Sequence, residues 1–154
     1  MFILLLFFDY KNVKIIIMNV LYFLTPKSQI RYVNSNMSLR QVLEIMEHYR
    51  YTTLPIIDND GFYIGSISEG DLLFFIKDHP FSSIENFNKI NIMNIQRNRD
   101  YVPVFSSLEM DELISTAVNQ NFVPVLDDQK HFIGIITRKA IINYLYYGQK
   151  KVIV

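Results

Sequence analysis

The 154-residue sequence contains no cysteine, and its 15 acidic residues cancel its 15 basic ones. The first absence excludes a disulfide framework, a thiolate nucleophile and any cysteine-ligated metal. The second excludes the basic excess that drives non-specific nucleic-acid binding. Nor is there an apolar run of the roughly 20 residues that a membrane span needs. Met1 to Phe8 is apolar, but Asp9, Lys11 and Lys14 interrupt before Ile15 to Leu24 resumes. A secretory leader is not expected, because both a positive start and a small-residue cleavage site are missing. The basic amphipathic pattern of a membrane-surface anchor is missing too. Residues 1–17 therefore read as an extension, either upstream of a true start at Met18 or an arm that packs. A cytoplasmic location and no membrane partner are expected. Apolar residues, by contrast, are plentiful: half of the chain is hydrophobic, enough for a sizeable core.

That apolar content is duplicated. Leu54-Pro55-Ile56-Ile57-Asp58 is matched 69 residues later by Val123-Pro124-Val125-Leu126-Asp127. The offset holds without a gap through Gly65 and Gly134, and upstream it pairs Tyr32-Val33 with Tyr101-Val102 and Ser38-Leu39 with Ser107-Leu108. Repeats of this kind announce the architecture before any single element does. Short strands are expected at 30–33 and 101–104. A capping box, Ser38 with Gln41, opens a helix whose inner face is Leu39, Val42, Leu43 and Met46. In the second copy Ser107 is expected to cap a helix over 108–119, with Leu113, Ile114, Ala117 and Val118 inward. Thr53 to Ile57 reads as a strand, Asp58-Asn59-Asp60-Gly61 as a hairpin turn and Phe62 to Ile67 as the return. Glu69 to Lys77 reads as a second helix with Leu72, Leu73 and Ile76 inward. The fold class expected is α+β: two tandem βαββα repeats forming one pseudo-symmetric body. The expected boundaries are 18–77 and 93–148, a connector at 78–92 in which Ser82 to Glu85 begins a helical turn, and a tail at 149–154. No linker is rich in Gly and Ser, which argues against freely mobile domains.

Chemistry concentrates where the second strand of each copy turns into the second helix. Ser68 is placed to cap that helix, with Asp71 in its first turn. A hydroxyl beside a carboxylate suits a sugar diol, and the N–H groups of a helix start suit phosphate. In the second copy Thr137 keeps the hydroxyl, but Ala140 stands where Asp71 stood. Arg138 and Lys139 open that helix against its dipole, and an anion would account for them.

These residues carry a resemblance. The duplicated Leu-Pro-Ile-Ile-Asp and the run Gly65-Ser66-Ile67-Ser68-Glu69-Gly70-Asp71-Leu72-Leu73 resemble the CBS domain, here as its usual tandem pair, over about Asn19 to Tyr147. The resemblance implies a regulatory module that is not an enzyme. It implies an adenosine-containing ligand in a cleft between the repeats: AMP, ADP, ATP, S-adenosylmethionine or cyclic di-AMP. It assigns the ribose to Ser68 and Asp71 and the adenine pocket to Thr52, Thr53 and Pro55. The matching positions in the second repeat are Asn121, Phe122, Pro124, Thr137 and Arg138. The segment from Thr25 to Ile30, with Ser28 and Ile30 as its contacts, is expected to close the pocket. Ala140 departs from the pattern and favours one site over two. A homodimer through the second helices, which carry Phe74, Phe75, Tyr144, Tyr146 and Tyr147, is implied as well, with an effector protein as the further partner. The alternative is a ligand-free dimerisation or scaffold module, its pocket plugged by Phe122 or Tyr101. His48, His79 and His131 have no partners at metal-ligand spacing, and no nucleophile elbow or acid/base pair emerges.

Overall fold

The computed structural model describes residues 3–9, 12–80 and 83–150. The chain begins with an antiparallel hairpin of β1 (Ile3–Asp9) and β2 (Asn12–Met18), with Asp9 opposite Asn12 at its turn. A two-residue strand, β3 (Thr25–Pro26), follows. From there the chain divides into two compact units. One runs from Ile30 to Tyr101; the other joins the residues up to Gln29 with those from Val102 onward. Each unit therefore includes the segment that leads into the other repeat. No helix among the described residues is long and apolar enough to cross a membrane.

In the first unit β4 (Val33–Asn34) leads through α1 (Leu39–Tyr49) to β5 (Thr53–Ile57), β6 (Tyr63–Ser68) and α2 (Glu69–Asp78). The sheet order is β4-β5-β6, with β4 parallel and β6 antiparallel to β5. α1 begins with the expected capping box: Ser38 Oγ accepts from Gln41 N, and the Gln41 side chain accepts from Ser38 N at 2.9 Å. Leu39, Val42 and Met46 turn inward at helical spacing onto Leu54, Ile56, Ile67 and Leu72. Burying each such side chain stabilises the fold by roughly 1.5–3 kcal/mol. The connector closes the core with Phe87 and Ile92, and Ile95 just beyond it joins them. Its expected helical turn is a 3₁₀ segment, Ile84–Lys89, with Ser83 at its cap position. Leu73 was expected inward but lies 63% exposed. It follows Leu72 by about 100° around α2, which carries it off the stripe that Leu72, Phe75 and Ile76 turn to the core.

The second unit repeats the order as β7 (Val104–Phe105), α3 (Met110–Ala117), β8 (Phe122–Leu126), β9 (Phe132–Thr137) and α4 (Arg138–Lys150). Its sheet, β3-β9-β8-β7, gains β3 as an extra edge strand, with Pro26 opposite Gly134. The strands expected at 30–33 and 101–104 lie later, at 33–34 and 104–105, because pairing is confined to the far end of the neighbouring strand, at Ile56–Ile57 and Val125–Leu126. Helix α3 corrects the sequence reading most. Its N-cap position is Glu109, without a side-chain cap bond, rather than Ser107, and the helix ends at Ala117. The buried positions explain why. Leu39, Val42 and Met46 correspond to Met110, Leu113 and Ala117, an offset of 71, whereas β5 and β8 correspond at 69. Two residues are therefore lost between α3 and β8. Val118, expected inward, is pushed out to 65% exposure.

Both hairpin turns are tied by the same aspartate. Asp58 Oδ1 accepts from the backbone N–H of Asp60 and Phe62, and Asp127 Oδ1 accepts from those of Gln129 and His131. The left-handed position is Gly61 in one turn (φ 92°) and Lys130 in the other (φ 70°).

Candidate functional site

The strand–helix corner of the first unit is built by its own caps. Ser68 Oγ accepts from Asp71 N at 3.2 Å, and Asp71 Oδ2 accepts from both Ser68 N (2.8 Å) and Ser68 Oγ (2.7 Å). Asp71 is 5% exposed. Its other oxygen, Oδ1, accepts from the backbone N–H of Asn98 at 2.8 Å. A carboxylate offers about four acceptor positions. Two on Oδ2 and one on Oδ1 are taken, leaving one. Asp71 also lines a cavity of about 450 Å³ with Phe74, Phe75, Asp78, Asn94, Gln96 and Asn98. Of the neighbouring candidates, Thr52 is exposed and its carbonyl accepts from Glu69 N, the first N–H of α2. Thr53 lies opposite Ser68, Pro55 is buried opposite Ser66, and Ile30 is half-buried.

The segment that supplies Asn98 was not among the candidates. Residues 97–101 run as a strap along the outer edge of β6, held by side chains rather than by a strand ladder. Asp100 Oδ1 accepts from Ser66 N (2.9 Å) and from Arg97 Nε (2.8 Å), and a second Arg97 nitrogen reaches Oδ2 at 3.3 Å. Tyr101 N donates to the buried Ser66 Oγ, and Tyr63 OH donates to the Tyr101 carbonyl at 2.7 Å. Gly65 makes room: a Cβ there would collide with the Asp100 carboxylate. Burial works to raise the Asp100 carboxyl, but the Arg97 guanidinium and the Ser66 N–H outweigh it and hold it below the usual value. Burial pushes the Tyr63 phenol up. A signal for the strap was present in the repeat: residues 97 and 99 stand 69 after Ser28 and Ile30, the two contacts already singled out.

The corner of the second unit is more open. Thr137 Oγ1 caps Ala140 N at 3.1 Å, and Ala140 carries no carboxylate to return the bond. Arg138 N donates to the Asn121 carbonyl, matching Glu69 and Thr52 at the 69-residue offset. The Arg138 guanidinium is steered by Asn121 Oδ1 at 2.7 Å and approaches the Val118 carbonyl at 3.4 Å. Phe122 and Pro124 are buried, Thr137 is half-buried, and Ser28 is exposed in a single 3₁₀ turn, Lys27–Gln29. Here β3 takes the edge that the strap takes in the first unit, and a Cβ on Gly134 would collide with the Thr25 carbonyl.

The histidines are dispersed. His48 meets the Tyr49 ring edge-on, His79 stacks on Phe75, and His131 lies 3.6 Å from Asp127. Among the described residues no three His, Asp or Glu side chains are grouped to hold a metal ion.

Comparison with known proteins adds a family to this geometry. The CBS domain matches twice, at residues 23–78 and 92–147. A CBS domain-containing protein of Dictyostelium discoideum is 25% identical over 120 residues, spanning 73% of this chain and 82% of that protein. Among solved structures, CbpB in complex with c-di-AMP superposes with a TM-score of 0.75 at 20% identity, covering 84% of this chain and 85% of that one. CBSX2 in complex with AMP superposes with a TM-score of 0.69 at 22% identity, covering 85% and 98%. At these identities the structural likeness is one of fold.

Proposed function

The chain belongs to the CBS domain family, and from that premise we propose that it is a regulatory module that binds an adenine nucleotide and changes the activity of a partner protein. The observation that carries this reading is Asp71: a buried carboxylate at a strand–helix corner, beside a cavity, with an acceptor position left over. We assign a ribose hydroxyl to it, with Ser68 holding the carboxylate in place and Thr52, Thr53, Pro55 and Ile30 as the adenine wall. At the other corner a phosphate is assigned to Arg138, whose fork Asn121 orients, with Thr137, Phe122, Pro124 and Ser28 around it. The two ligands named for the CbpB and CBSX2 structures, c-di-AMP and AMP, support the class of ligand. The module is assigned to the cytoplasm and to binding rather than catalysis.

Calorimetric titration with AMP, ATP, S-adenosylmethionine and cyclic di-AMP tests the reading. At least one is expected to bind below millimolar concentration, and silence from all four defeats it. Arg138→Ala should weaken a phosphorylated ligand by about 10- to 100-fold, the loss of one charge-assisted contact. Adenosine itself should bind the variant unchanged. A homodimer is proposed through the exposed apolar residues of α2 and α4, Leu73 and Phe74 on one, Ile142, Tyr146 and Tyr147 on the other. Sedimentation of the Phe74→Glu/Tyr147→Glu double variant as a monomer is the expected outcome. A second reading, the ligand-free scaffold, draws on the burial of Phe122 and Tyr101; a dimer that binds none of the four nucleotides would favour it.

A further inference from the structure

The acceptor count at Asp71 has a consequence for how a sugar gets in. A cis-diol binds a carboxylate best by donating two hydrogen bonds, one from each hydroxyl. Oδ2 is filled by Ser68 N and Ser68 Oγ, and Oδ1 has one position left beside the bond from Asn98 N. With the Ser68 cap left intact, a diol can donate both bonds only if the Asn98 N–H withdraws. We propose that the strap from Arg97 to Tyr101 is a gate on the Asp71 acceptor, latched by Asp100, and that a diol-bearing ligand and the latched strap compete for the same oxygen. The inference rests on the assignment of a ribose to Asp71.

The latch is constructed for this. Asp100 joins two parts of the unit: β6, at the Ser66 N–H and by close packing on Gly65, and the side chain of Arg97. Asn98 lies between Arg97 and Asp100, so its N–H is presented to Asp71 by residues anchored on both sides. Release of Asp100 frees Asn98 without touching the core, because Leu54, Ile67 and Leu72 are packed by other contacts. The strap ends at Tyr101, the last residue of this unit, and the chain passes directly into the other. Asp100 and Arg97 are positioning residues in this scheme; neither is assigned a contact with ligand.

Backbone amide hydrogen exchange on the full chain, without ligand, tests the latch. In Asp100→Asn the amides of Ser66, Asn98 and Tyr101 should exchange at least tenfold faster than in the wild type, while Ile67 and Leu72 keep their protection. Unchanged exchange at Asn98 overturns the latch whatever the protein binds. Titration with AMP tests the competition. Asp100→Asn should bind AMP about three- to tenfold more tightly, because the competent open state is more populated. Deoxyadenosine monophosphate, with no 2′-hydroxyl, should gain less than twofold. Equal or weaker AMP binding by Asp100→Asn overturns the gate. If AMP binds neither protein, the ribose assignment falls for that ligand and the exchange result still decides the latch.

Discussion

The two strand–helix corners descend from one pattern and are finished differently. At the first, Asp71 satisfies its own cap residue, receives the strap and stays buried. At the second, Ala140 leaves the cap half-made, and Arg138 and Lys139 occupy the first turn where the helix dipole favours acids. The edges beside them differ in the same way. A strap held by side chains lies against β6, whereas a true strand, β3, lies against β9. On the proposed reading the first corner takes a sugar under regulated access, and the second takes an anion beside a fixed edge. Duplication supplied the scaffold twice, and a few side chains set the two corners apart.

The largest test of that contrast is at the edges. Gly134→Ala meets the backbone carbonyl of Thr25 and must separate β3 from β9, for about 2–3 kcal/mol; Gly65→Ala displaces only the Asp100 side chain and its bonds to Ser66 and Arg97, for about 1–2 kcal/mol. The two corner groups come next. Asp71→Ala removes the buried carboxylate that the half-buried Ser68 and the Asn98 N–H groups share and should destabilise the protein by about 2 kcal/mol. Thr137→Ala, which removes only a cap, should cost about 1 kcal/mol. Urea denaturation measures each, and equal losses at Asp71 and Thr137 would erase the distinction between the corners. The turns give a smaller effect of opposite sign. Lys130→Gly relieves a left-handed backbone that Gly61 occupies freely in the other copy and should stabilise by about 0.5–1 kcal/mol. Smallest is acid. Because the Asp100 carboxyl is held below its usual value, its contribution is complete above the unfolded carboxylate pKa near 4 and fades as the pH falls further. Exchange at Tyr101 should therefore be steady from pH 7 to 5, once corrected for intrinsic rate, and accelerate below pH 4. Asp100→Asn should remove that acid-dependent step.

Much of this was legible in the chain itself. The 69-residue offset, the capping boxes at Ser38 and Ser68, the aspartate-tied turns and the missing carboxylate at Ala140 are all local patterns, and local hydrogen bonding and side-chain period enforce them wherever they occur. Helix α3 was misplaced because Ser107-Leu108 imitates Ser38-Leu39 in sequence. Its position was settled instead by which residues reach the core, Met110, Leu113 and Ala117, and burial depends on contacts that a linear pattern does not contain. Leu73 and Val118 were misjudged for the same reason: hydrophobicity says that a residue can be buried, and packing says whether it is.

The sequence by itself determined the repeat, the order of strands and helices, and the residue types at each corner, because period and capping act over a few residues. Only the tertiary structure decided that Asp71 receives the Asn98 N–H, that Asp100 fastens the strap to β6, and that β3 joins β9. Each of those joins segments more than 25 residues apart. Spacing cannot fix such a contact. It is chosen by which unsatisfied edge and which buried acceptor the folded chain leaves within reach.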